Sequence, residues 1–469
     1  MLNIKFGTDG WRAIIAQDYT TENVARVSMG LAKWLLAKNN TPSVIIGHDC
    51  RFAGELFAET TAKVLCEQGI KVYIAKGFVS TPMVSLGCKT YNADQGVVIT
   101  ASHNPPSYNG YKLKGAHGGP TNPSDIAAVE ALIPDTEVVI PTTSIDEYVA
   151  AGKIEFLPLE DMYVDYLRTK FDFDKLNNSP FKLGYDAMYG AGQNVVRRLM
   201  PSAFLLHCEH NPSFNGTAPE PLYKNTKEFA EIIKNTPELK IGLVTDGDAD
   251  RIGLYDEDGN FVDAHHILLL LVHYLAKYKE MIGNVVIAFS VTDRVKRLCE
   301  KHNLPVEVTK IGFKYISEKM VTEDVLVGGE ESGGIAVKGH IPERDGIYDG
   351  LVLLEFMTET GKSLKELIQE IYDEVGSFVY QRDDLTLDNT LKETIINNAE
   401  QDVYNEAGFG AYQVARVEKI DGVKYHLTNG GWVMLRASGT EPLLRVYAEG
   451  SNETETLDIL KSVKDVILK

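Results

Sequence analysis

Three aspartates alternate with other residues in the segment TDGDADR, residues 245–251. Their charges repel one another unless a cation lies between them, and ligand sets made only of oxygen suit Mg2+ or Ca2+. The apolar run IGLV before the segment predicts a strand that ends at the cluster. The spacing therefore predicts a metal site formed by Asp246, Asp248 and Asp250.

A calcium-binding EF-hand is the competing interpretation of this segment. The three aspartates and Glu257 occupy the first, third, fifth and twelfth positions of such a loop. An EF-hand needs glycine where this chain has Arg251, and it needs helices where both flanks read as strands. The pattern therefore favours Mg2+ bound in a loop between strands.

A serine follows another apolar strand, because TASHNPP at residues 100–106 comes at the end of the run GVVIT. Ligands of α/β folds bind at the carboxyl ends of parallel strands, and two prolines stiffen this loop. Ser102 is therefore a candidate nucleophile, although the same residue types also form ordinary turns. His103 would activate the serine only if the geometry brought the two side chains together.

Two further segments suit a phosphate and a sugar. RASGTEP at residues 436–442, followed by Arg445, combines hydroxyls, guanidinium groups and backbone N–H groups around a glycine. GGEESGG at residues 328–334 follows a predicted strand and offers a carboxylate and a hydroxyl to sugar hydroxyls. A solvated turn with incidental charges is the alternative for the first segment, and an ordinary glycine-rich strand end is the alternative for the second. The residues alone thus indicate an anion-binding, metal-assisted phosphoryl-transfer enzyme.

The chain of 469 residues is long enough for several compact units, and we expect four. Strands alternate with helices in three successive stretches, which predicts largely parallel sheets. The predicted strands are 43–47, 71–74 and 95–100, then 182–186, 203–207 and 241–245, then 284–289, 306–310 and 325–329. The predicted helices are 55–68, one near Val195, 227–234, 265–279 and 294–302. Candidate boundaries are residues 137–152 and 375–388.

The last part of the chain is smaller and closes with a predicted helix. Asn452 and Glu455 resemble a helix cap. The apolar face of this helix is predicted to consist of Leu457, Leu460, Val463 and Ile467.

Overall charge and composition exclude several classes of protein. A formal net charge of −19 argues against nucleic acid or an anionic membrane as a partner. No apolar run approaches the roughly 20 residues that cross a bilayer, and no secretory signal is visible at the N-terminus. Five scattered cysteines without a CxxC pair indicate neither disulfides nor zinc. A cytoplasmic protein is expected.

Taken in their order along the chain, these four segments resemble the motifs of the α-D-phosphohexomutase family, which includes phosphoglucomutases and phosphomannomutases. GTDGWR at residues 7–12 and DAMYGAG at 186–192 extend the resemblance over nearly the whole chain. It implies an α/β fold of three related α/β domains with mixed sheets plus a smaller C-terminal α+β domain around a central cleft. The domains would be 1–150 with the phosphoserine, 151–258 with the metal, 259–375 with the sugar and 376–469 with the C-terminal phosphate site.

The resemblance also implies a role for each candidate residue. Ser102 would be the phosphoserine, Lys112 the general base and acid, and Arg12, Arg251 and His103 further catalytic residues. Mg2+ would be bound by Asp246, Asp248 and Asp250 together with Ser102. Substrate would be bound by Glu330, Ser332, Gly312, Lys314, Arg436, Ser438, Gly439, Thr440 and Arg445. Lys112 could serve as a base only if burial or Arg12 lowered its pKa.

The implied reaction interconverts hexose 1-phosphate and hexose 6-phosphate, with glucose 1,6-bisphosphate as intermediate and activator. Glucose is the expected sugar, because TKIGFK at residues 309–314 resembles a loop of glucose-preferring mutases and Gly334 replaces a histidine of many mannose-accepting members. Phosphomannomutase and phosphoglucosamine mutase remain alternatives. A metal-dependent sugar phosphatase and a non-catalytic phosphosugar sensor are the competing classes. The enzyme would be a monomer or a homodimer.

Overall fold

The computed structural model of the protein describes residues 2–7, 9–437 and 443–469. Internal contacts divide the chain into two compact units. The first unit comprises Met1–Val286 and Gly312–Ile368, and the second comprises Ile287–Ile311 and Gln369–Lys469. Within the described residues, no helix is both long and apolar enough to span a membrane.

The first sheet has the strand order β1-β5-β4-β2-β3-β6. Its strands are β1 (Trp11–Ile14), β2 (Ser43–His48), β3 (Lys71–Ala75), β4 (Gln95–Ile99), β5 (Tyr108–Gly115) and β6 (Ile154–Leu157). Its helices are α1 (Thr21–Lys38), α2 (Gly54–Glu67), α3 (Thr81–Thr90), α4 (Pro123–Ala131) and α5 (Ile145–Ala150). β2, β3, β4 and β6 run parallel, whereas β5 pairs antiparallel with β4 and β1. The sheet is therefore mixed, as the family resemblance implied.

The second sheet has the order β11-β10-β9-β7-β8. Its strands are β7 (Lys182–Asp186), β8 (Phe204–Leu206), β9 (Leu239–Thr245), β10 (Ile252–Tyr255) and β11 (Phe261–Val262). The helices of this stretch are α6 (Leu159–Lys170), α7 (Phe173–Asn177), α8 (Gln193–Leu199) and α9 (Lys227–Lys234). β7, β8 and β9 are parallel, and the antiparallel β10 turns back from β9 at the aspartate segment.

The third sheet has the order β13-β12-β14-β15. Its strands are β12 (Asn284–Ala288), β13 (Val306–Thr309), β14 (Val325–Gly329) and β15 (Ile335–Val337). The helices are α10 (Ala264–His273), α11 (Arg294–Lys301), α12 (Phe313–Thr322), α13 (Gly346–Thr360) and α14 (Leu364–Val375). The first of these continues as a π-helical turn over Tyr274–Tyr278. β14 is buried along its whole length and ends within the glycine-rich segment 328–334.

The fourth sheet is antiparallel, with the order β16-β20-β19-β18-β17. Its strands are β16 (Val379–Thr386), β17 (Val414–Glu418), β18 (Val423–Leu427), β19 (Trp432–Ala437) and β20 (Leu443–Gly450), and its helices are α15 (Asn389–Glu400), α16 (Val403–Ala407) and α17 (Glu453–Ile467). The smaller α+β domain is therefore confirmed.

The closing helix α17 confirms its predicted cap, because the Asn452 side chain accepts a hydrogen bond from Glu455 N at 3.0 Å. The predicted apolar face is wrong at Leu457, which is 51% exposed. Ile459 is buried instead, together with the three other predicted positions. The buried face of this helix consists of residues that recur every three or four positions, and Leu457 faces solvent. The buried residues are Thr456, Ile459, Leu460, Val463 and Ile467.

Candidate active site

Ser102 lies in the loop after β4 with φ +52°, in the left-handed region of backbone space. Such a conformation costs a serine roughly 1–3 kcal/mol and persists only where surrounding contacts hold it. Thr100 Oγ1 accepts a hydrogen bond from Ser102 N at 2.9 Å. The buried Ser102 hydroxyl donates to Asp246 Oδ2 at 2.6 Å. The strand-end serine is therefore directed at the aspartate segment.

The three aspartates occupy the turn between the antiparallel strands β9 and β10. Gly247 allows this turn to approach the serine loop, because a Cβ at that position would lie 2.5 Å from Ser102 O. Strands flank the turn on both sides. Since an EF-hand requires two flanking helices, the calcium-loop alternative is wrong.

Asp246, Asp248 and Asp250 are completely buried, and each offers a carboxylate oxygen within 4.8 Å of the others. In the described part of the chain, Oδ1 of Asp248 and Oδ1 of Asp250 have no hydrogen-bond partner. Burial, followed by repulsion from the other two carboxylates, raises the pKa of Asp246 well above its ordinary value. Unpartnered buried oxygens and mutual repulsion fit a divalent cation bound by the three carboxylates beside the Ser102 oxygen.

Lys112 projects from β5 into the same cluster. Its ammonium group lies 2.8 Å from Asp9, 2.8 Å from Asp248 and 2.9 Å from Asp250. Burial by itself would lower the pKa of this lysine, but the three carboxylates outweigh burial and raise the pKa above its ordinary value. The contacts of the folded chain therefore do not meet the condition of a lowered pKa for Lys112. Lys112 is held as an ammonium ion, so it is suited to donating hydrogen bonds and less suited to removing a proton.

Positive charge surrounds the serine loop. Arg12, on β1, donates at 2.6 Å to the asparagine side chain two residues after Ser102. Arg251 N donates to Asp246 Oδ1 at 3.1 Å, while Arg251 Nε is buried and has no hydrogen-bond partner among the described residues. Burial, followed by the charges of Arg251 and Arg12, lowers the pKa of His103 well below its ordinary value. His103 is therefore a neutral imidazole, and the serine hydroxyl donates to Asp246 instead of to it.

Two of the residues predicted to bind the sugar, Glu330 and Ser332, come directly after β14. Glu330 is buried, and its Oε1 accepts a hydrogen bond from Gly312 N at 2.8 Å. Burial raises the pKa of Glu330 to about 7, although Arg344 lies 4.0 Å from Oε2 and opposes the shift. Ser332 and Lys314 are both half-buried, and the Lys314 ammonium lies 5.4 Å from the ring of the following tyrosine. The structure thus brings Glu330 and Gly312 into direct contact.

Sequence reasoning missed Arg344, a buried residue just before α13. Its Nη2 donates to the carboxylates of Asp9 and Asp250, and its guanidinium group lies 5.3 Å from the centre of the Phe313 ring. Its Cδ is 2.4 Å from the place that a Cβ at Gly334 would take. Arg344 therefore connects the aspartate turn at residues 246–250 to the glycine-rich segment 328–334. An arginine in the polar run PERDG looks like an exposed loop residue, so no local pattern marks it.

In the second unit, Arg436 and Arg445 stand directly opposite each other on β19 and β20. Opposed residues of antiparallel strands have Cβ atoms about 4.5–5.5 Å apart and share one face of the sheet. Arg436 Nε donates to Asp421 Oδ1 at 3.2 Å, whereas Arg445 Nε is buried without a hydrogen-bond partner in the described chain. The two predicted arginines are thus neighbours. Ser438, Gly439 and Thr440 of the same prediction lie outside the described residues.

The sequence matches the family models of the four phosphoglucomutase/phosphomannomutase domains, which follow one another along the chain. The α/β/α domain I matches residues 3–138, domain II 161–259, domain III 263–375 and the C-terminal domain 397–466. The crystal structure of a candidate phosphomannomutase from Thermus thermophilus is 32% identical, covers 100% of both chains and superposes with a TM-score of 0.87. The chain therefore belongs to the phosphoglucomutase/phosphomannomutase family, the α-D-phosphohexomutases, and is an enzyme of the isomerase class.

Two curated relatives differ in the sugar that their names specify. A phosphoglucosamine/phosphogalactosamine mutase of Sulfurisphaera tokodaii is 29% identical over 98% of this chain and 98% of its own. A phosphoglucomutase/phosphomannomutase of Thermococcus kodakarensis is 28% identical over 97% of this chain and 96% of its own. Similarity of this degree therefore supports the mutase class without selecting one sugar.

Proposed function

We propose that the enzyme interconverts hexose 1-phosphate and hexose 6-phosphate through a phosphoserine at Ser102 and a hexose 1,6-bisphosphate intermediate. One observation carries the proposal: a buried serine hydroxyl, on a strained backbone, lies 2.6 Å from Asp246 within a cluster of three aspartates. The names of the relatives, which specify hexose and hexosamine phosphates, support the substrate class.

Each half-reaction transfers one phosphoryl group. In the first, the free hydroxyl oxygen of the hexose monophosphate forms a bond to phosphorus while the bond between phosphorus and Ser102 Oγ breaks. The sugar hydroxyl loses one proton and the serine gains one, so the products are a hexose bisphosphate and an unmodified serine. After the bisphosphate has turned around, the reverse transfer of its other phosphoryl group restores the phosphoserine and releases the isomer.

Catalysis of this kind depends on positioning and charge more than on covalent chemistry by the protein. Mg2+ bound by Asp246, Asp248 and Asp250 would withdraw negative charge from the phosphoryl oxygens. The buried, unpartnered Nε–H of Arg251 is a donor available to an incoming anion. Lys112 contributes an ammonium ion in the same cluster. These groups are fixed before the reaction, so they need little reorganisation as charge moves.

The phosphate that does not react is assigned to the second unit. Arg436 and Arg445 occupy directly opposite positions on neighbouring strands, and arginine forks bind phosphate oxygens in pairs. A phosphatase that hydrolyses one phosphate has no need of a second phosphate site, so this pair supports a mutase over a phosphatase. The same pair of arginines would bind the non-reacting phosphate of either isomer.

Glucose is the proposed sugar. The segment TKIGFK carries the basic residue Lys314, whose charge would repel the ammonium group of a hexosamine phosphate. The competing candidate is a phosphoglucosamine mutase, which the name of the Sulfurisphaera tokodaii relative favours. Glucose and mannose differ only in the orientation of one hydroxyl, so discrimination between them depends on one well-placed hydrogen bond.

Side-by-side assays with glucose, mannose and glucosamine 1-phosphates, at saturating Mg2+ and bisphosphate activator, test both parts of the proposal. We expect kcat/KM for glucose 1-phosphate to exceed the others by at least about tenfold, or roughly 1.4 kcal/mol. A higher value for glucosamine 1-phosphate would overturn the sugar but not the reaction. Release of inorganic phosphate without isomer would indicate a phosphatase, and binding without turnover would indicate a sensor.

Ser102→Ala tests the nucleophile. It should abolish turnover and remove the phosphoryl group that peptide mass mapping finds on the wild-type enzyme. Ser107→Ala is the matched control, because Ser107 is an exposed serine of the same loop. Full activity of Ser102→Ala would refute the assignment.

A further inference from the structure

Arg51 lies in the turn between β2 and α2, and its side chain is completely buried. It donates four hydrogen bonds to backbone carbonyls of the serine loop. Nη2 reaches Ser102 O at 2.7 Å and Asn104 O at 2.6 Å, and Nη1 reaches Pro105 O at 2.8 Å and Tyr108 O at 2.9 Å. One guanidinium group therefore holds almost the entire loop.

A buried counter-charge closes this network from the other side. Asp49 Oδ2 lies 3.2 Å from Arg51 Nε and accepts a hydrogen bond from the Thr100 hydroxyl at 2.5 Å. The same Thr100 oxygen accepts the bond from Ser102 N. The amide and the carbonyl of Ser102 are therefore both bound within one network that starts at the end of β2.

The serine needs such support. Its φ of +52° is uncommon for a residue with a Cβ, and this conformation persists only when the surroundings impose it. From this backbone conformation the Ser102 hydroxyl donates to Asp246 Oδ2 at 2.6 Å. The planar guanidinium group of arginine carries several N–H donors and can donate to several fixed carbonyls at once. The single ammonium group of lysine cannot reproduce that geometry.

We propose that Arg51 is a positioning residue for phosphoryl transfer, which fixes the serine loop so that the Ser102 hydroxyl is held in line with the aspartate cluster. This inference rests on the proposed function of Ser102. Because the guanidinium group of Arg51 is buried and donates to backbone carbonyls of the loop, it acts on the rate of transfer and leaves substrate affinity unchanged.

A purely structural role for a buried arginine is the alternative, and the chain offers a matched control for it. Arg26 is also buried, with 2% of its side chain exposed, and it also donates to carbonyls, at 2.8 Å to Pro134 O and 3.1 Å to Leu2 O. None of these contacts involves the serine loop or the aspartate cluster. Arg26→Lys therefore reports the general cost of replacing a buried guanidinium group.

The test compares Arg51→Lys with Arg26→Lys in thermal unfolding, steady-state kinetics and single-turnover transfer from phosphoenzyme to glucose 1-phosphate. Displacing a reacting group by about 1 Å can cost roughly 100-fold in rate, so we expect a loss of that order in kcat and in single-turnover transfer for Arg51→Lys. KM should not change. Arg26→Lys should lower the melting temperature to a similar degree and keep the wild-type kcat.

Thr100→Val supplies a second variant should Arg51→Lys fail to fold, because it removes only the hydroxyl that joins Asp49 to Ser102 N. It should lower kcat by roughly tenfold, the effect of one lost hydrogen bond, again at constant KM. A wild-type kcat in Arg51→Lys would overturn the proposal. If Arg51→Lys does not fold, a wild-type kcat in Thr100→Val would overturn it. An equal loss of kcat in Arg26→Lys would overturn it as well. A wild-type enzyme without phosphoserine or turnover would instead refute the proposed function itself.

Discussion

Adding one methyl group at Gly334 should disturb the active site through Arg344. A Cβ at this position would lie 2.4 Å from Arg344 Cδ, closer than real Cβ contacts come, and 3.2 Å from Arg344 Cγ. Arg344 is buried and its guanidinium group binds Asp250, so the side chain has little room to move without breaking that contact. Overpacking of this kind typically costs about 1–3 kcal/mol.

The functional effect should have a similar size. Arg344 lies beside Glu330 as well as Asp250, so its displacement disturbs both the glycine-rich segment and the aspartate turn. Conversion of about 1–3 kcal/mol at 1.4 kcal/mol per factor of ten predicts a loss of roughly 5- to 150-fold in kcat/KM for Gly334→Ala. Urea unfolding and steady-state assays on the purified variant measure the two effects separately.

A double-mutant cycle isolates the cause. In an Arg344→Ala background the contact no longer exists, so Gly334→Ala should add less than about 0.5 kcal/mol to the cost of unfolding. The reasoning is refuted if Gly334→Ala costs the same in both backgrounds, because the penalty would then come from the backbone and not from the arginine. It is equally refuted if the single variant is as stable and as active as the wild type.

Three further substitutions test the proposed metal, sugar and phosphate sites. Chelation should stop turnover until Mg2+ is returned, and Asp248→Asn should require at least about 10- to 100-fold more Mg2+ for half-maximal activity, whereas the exposed Asp258→Asn should behave as wild type. Burial raises the pKa of Glu330 to about 7 from 4.5, so its carboxylate forms as pH rises through 7. KM should fall over that range, and stability should decline from about pH 4.5 to 7, whereas Glu330→Gln should show neither trend. Arg436→Ala should raise KM by roughly 10- to 100-fold for both isomers at constant kcat, measured in each direction of the reaction, and an unchanged KM for either isomer would contradict the phosphate assignment.

The three chemical segments in the first unit could be predicted because each follows a strand with a continuous apolar run. β4 and β14 are buried along their whole length, and β9 along nearly all of it. Such runs are typical of strands in the middle of a sheet with both faces covered, and their carboxyl ends are where ligands bind. The aspartates and Ser102 therefore lie together although 144 positions separate Ser102 from Asp246.

The residues that organise the site could not be predicted in the same way. β5 has the sequence YNGYKLKG, in which lysines and apolar residues are both buried, so no alternation marks it as a strand. Arg344 reaches its partner Asp9 across 335 positions. The charged state of Lys112 depends on carboxylates that converge from two distant segments. Local patterns carry none of this information, because convergence of distant charges is a property of the folded chain.

Charge balance bears on the proposed phosphorylation of Ser102 in an acidic protein. Burial of one uncompensated charge costs several kcal/mol, so the fully buried aspartates are tolerated only because cations such as Lys112 and Arg344 lie against them. A phosphoryl group on Ser102 would add about −1.5 to −2 charges, and a divalent cation adds two positive charges. The two additions offset each other, whereas either alone would leave the cluster unbalanced.

The net charge of −19 repels anions over the surface as a whole. Under the proposed function, binding of a sugar phosphate would therefore depend on arginines at specific positions, such as the pair at Arg436 and Arg445, and not on the overall field of the protein.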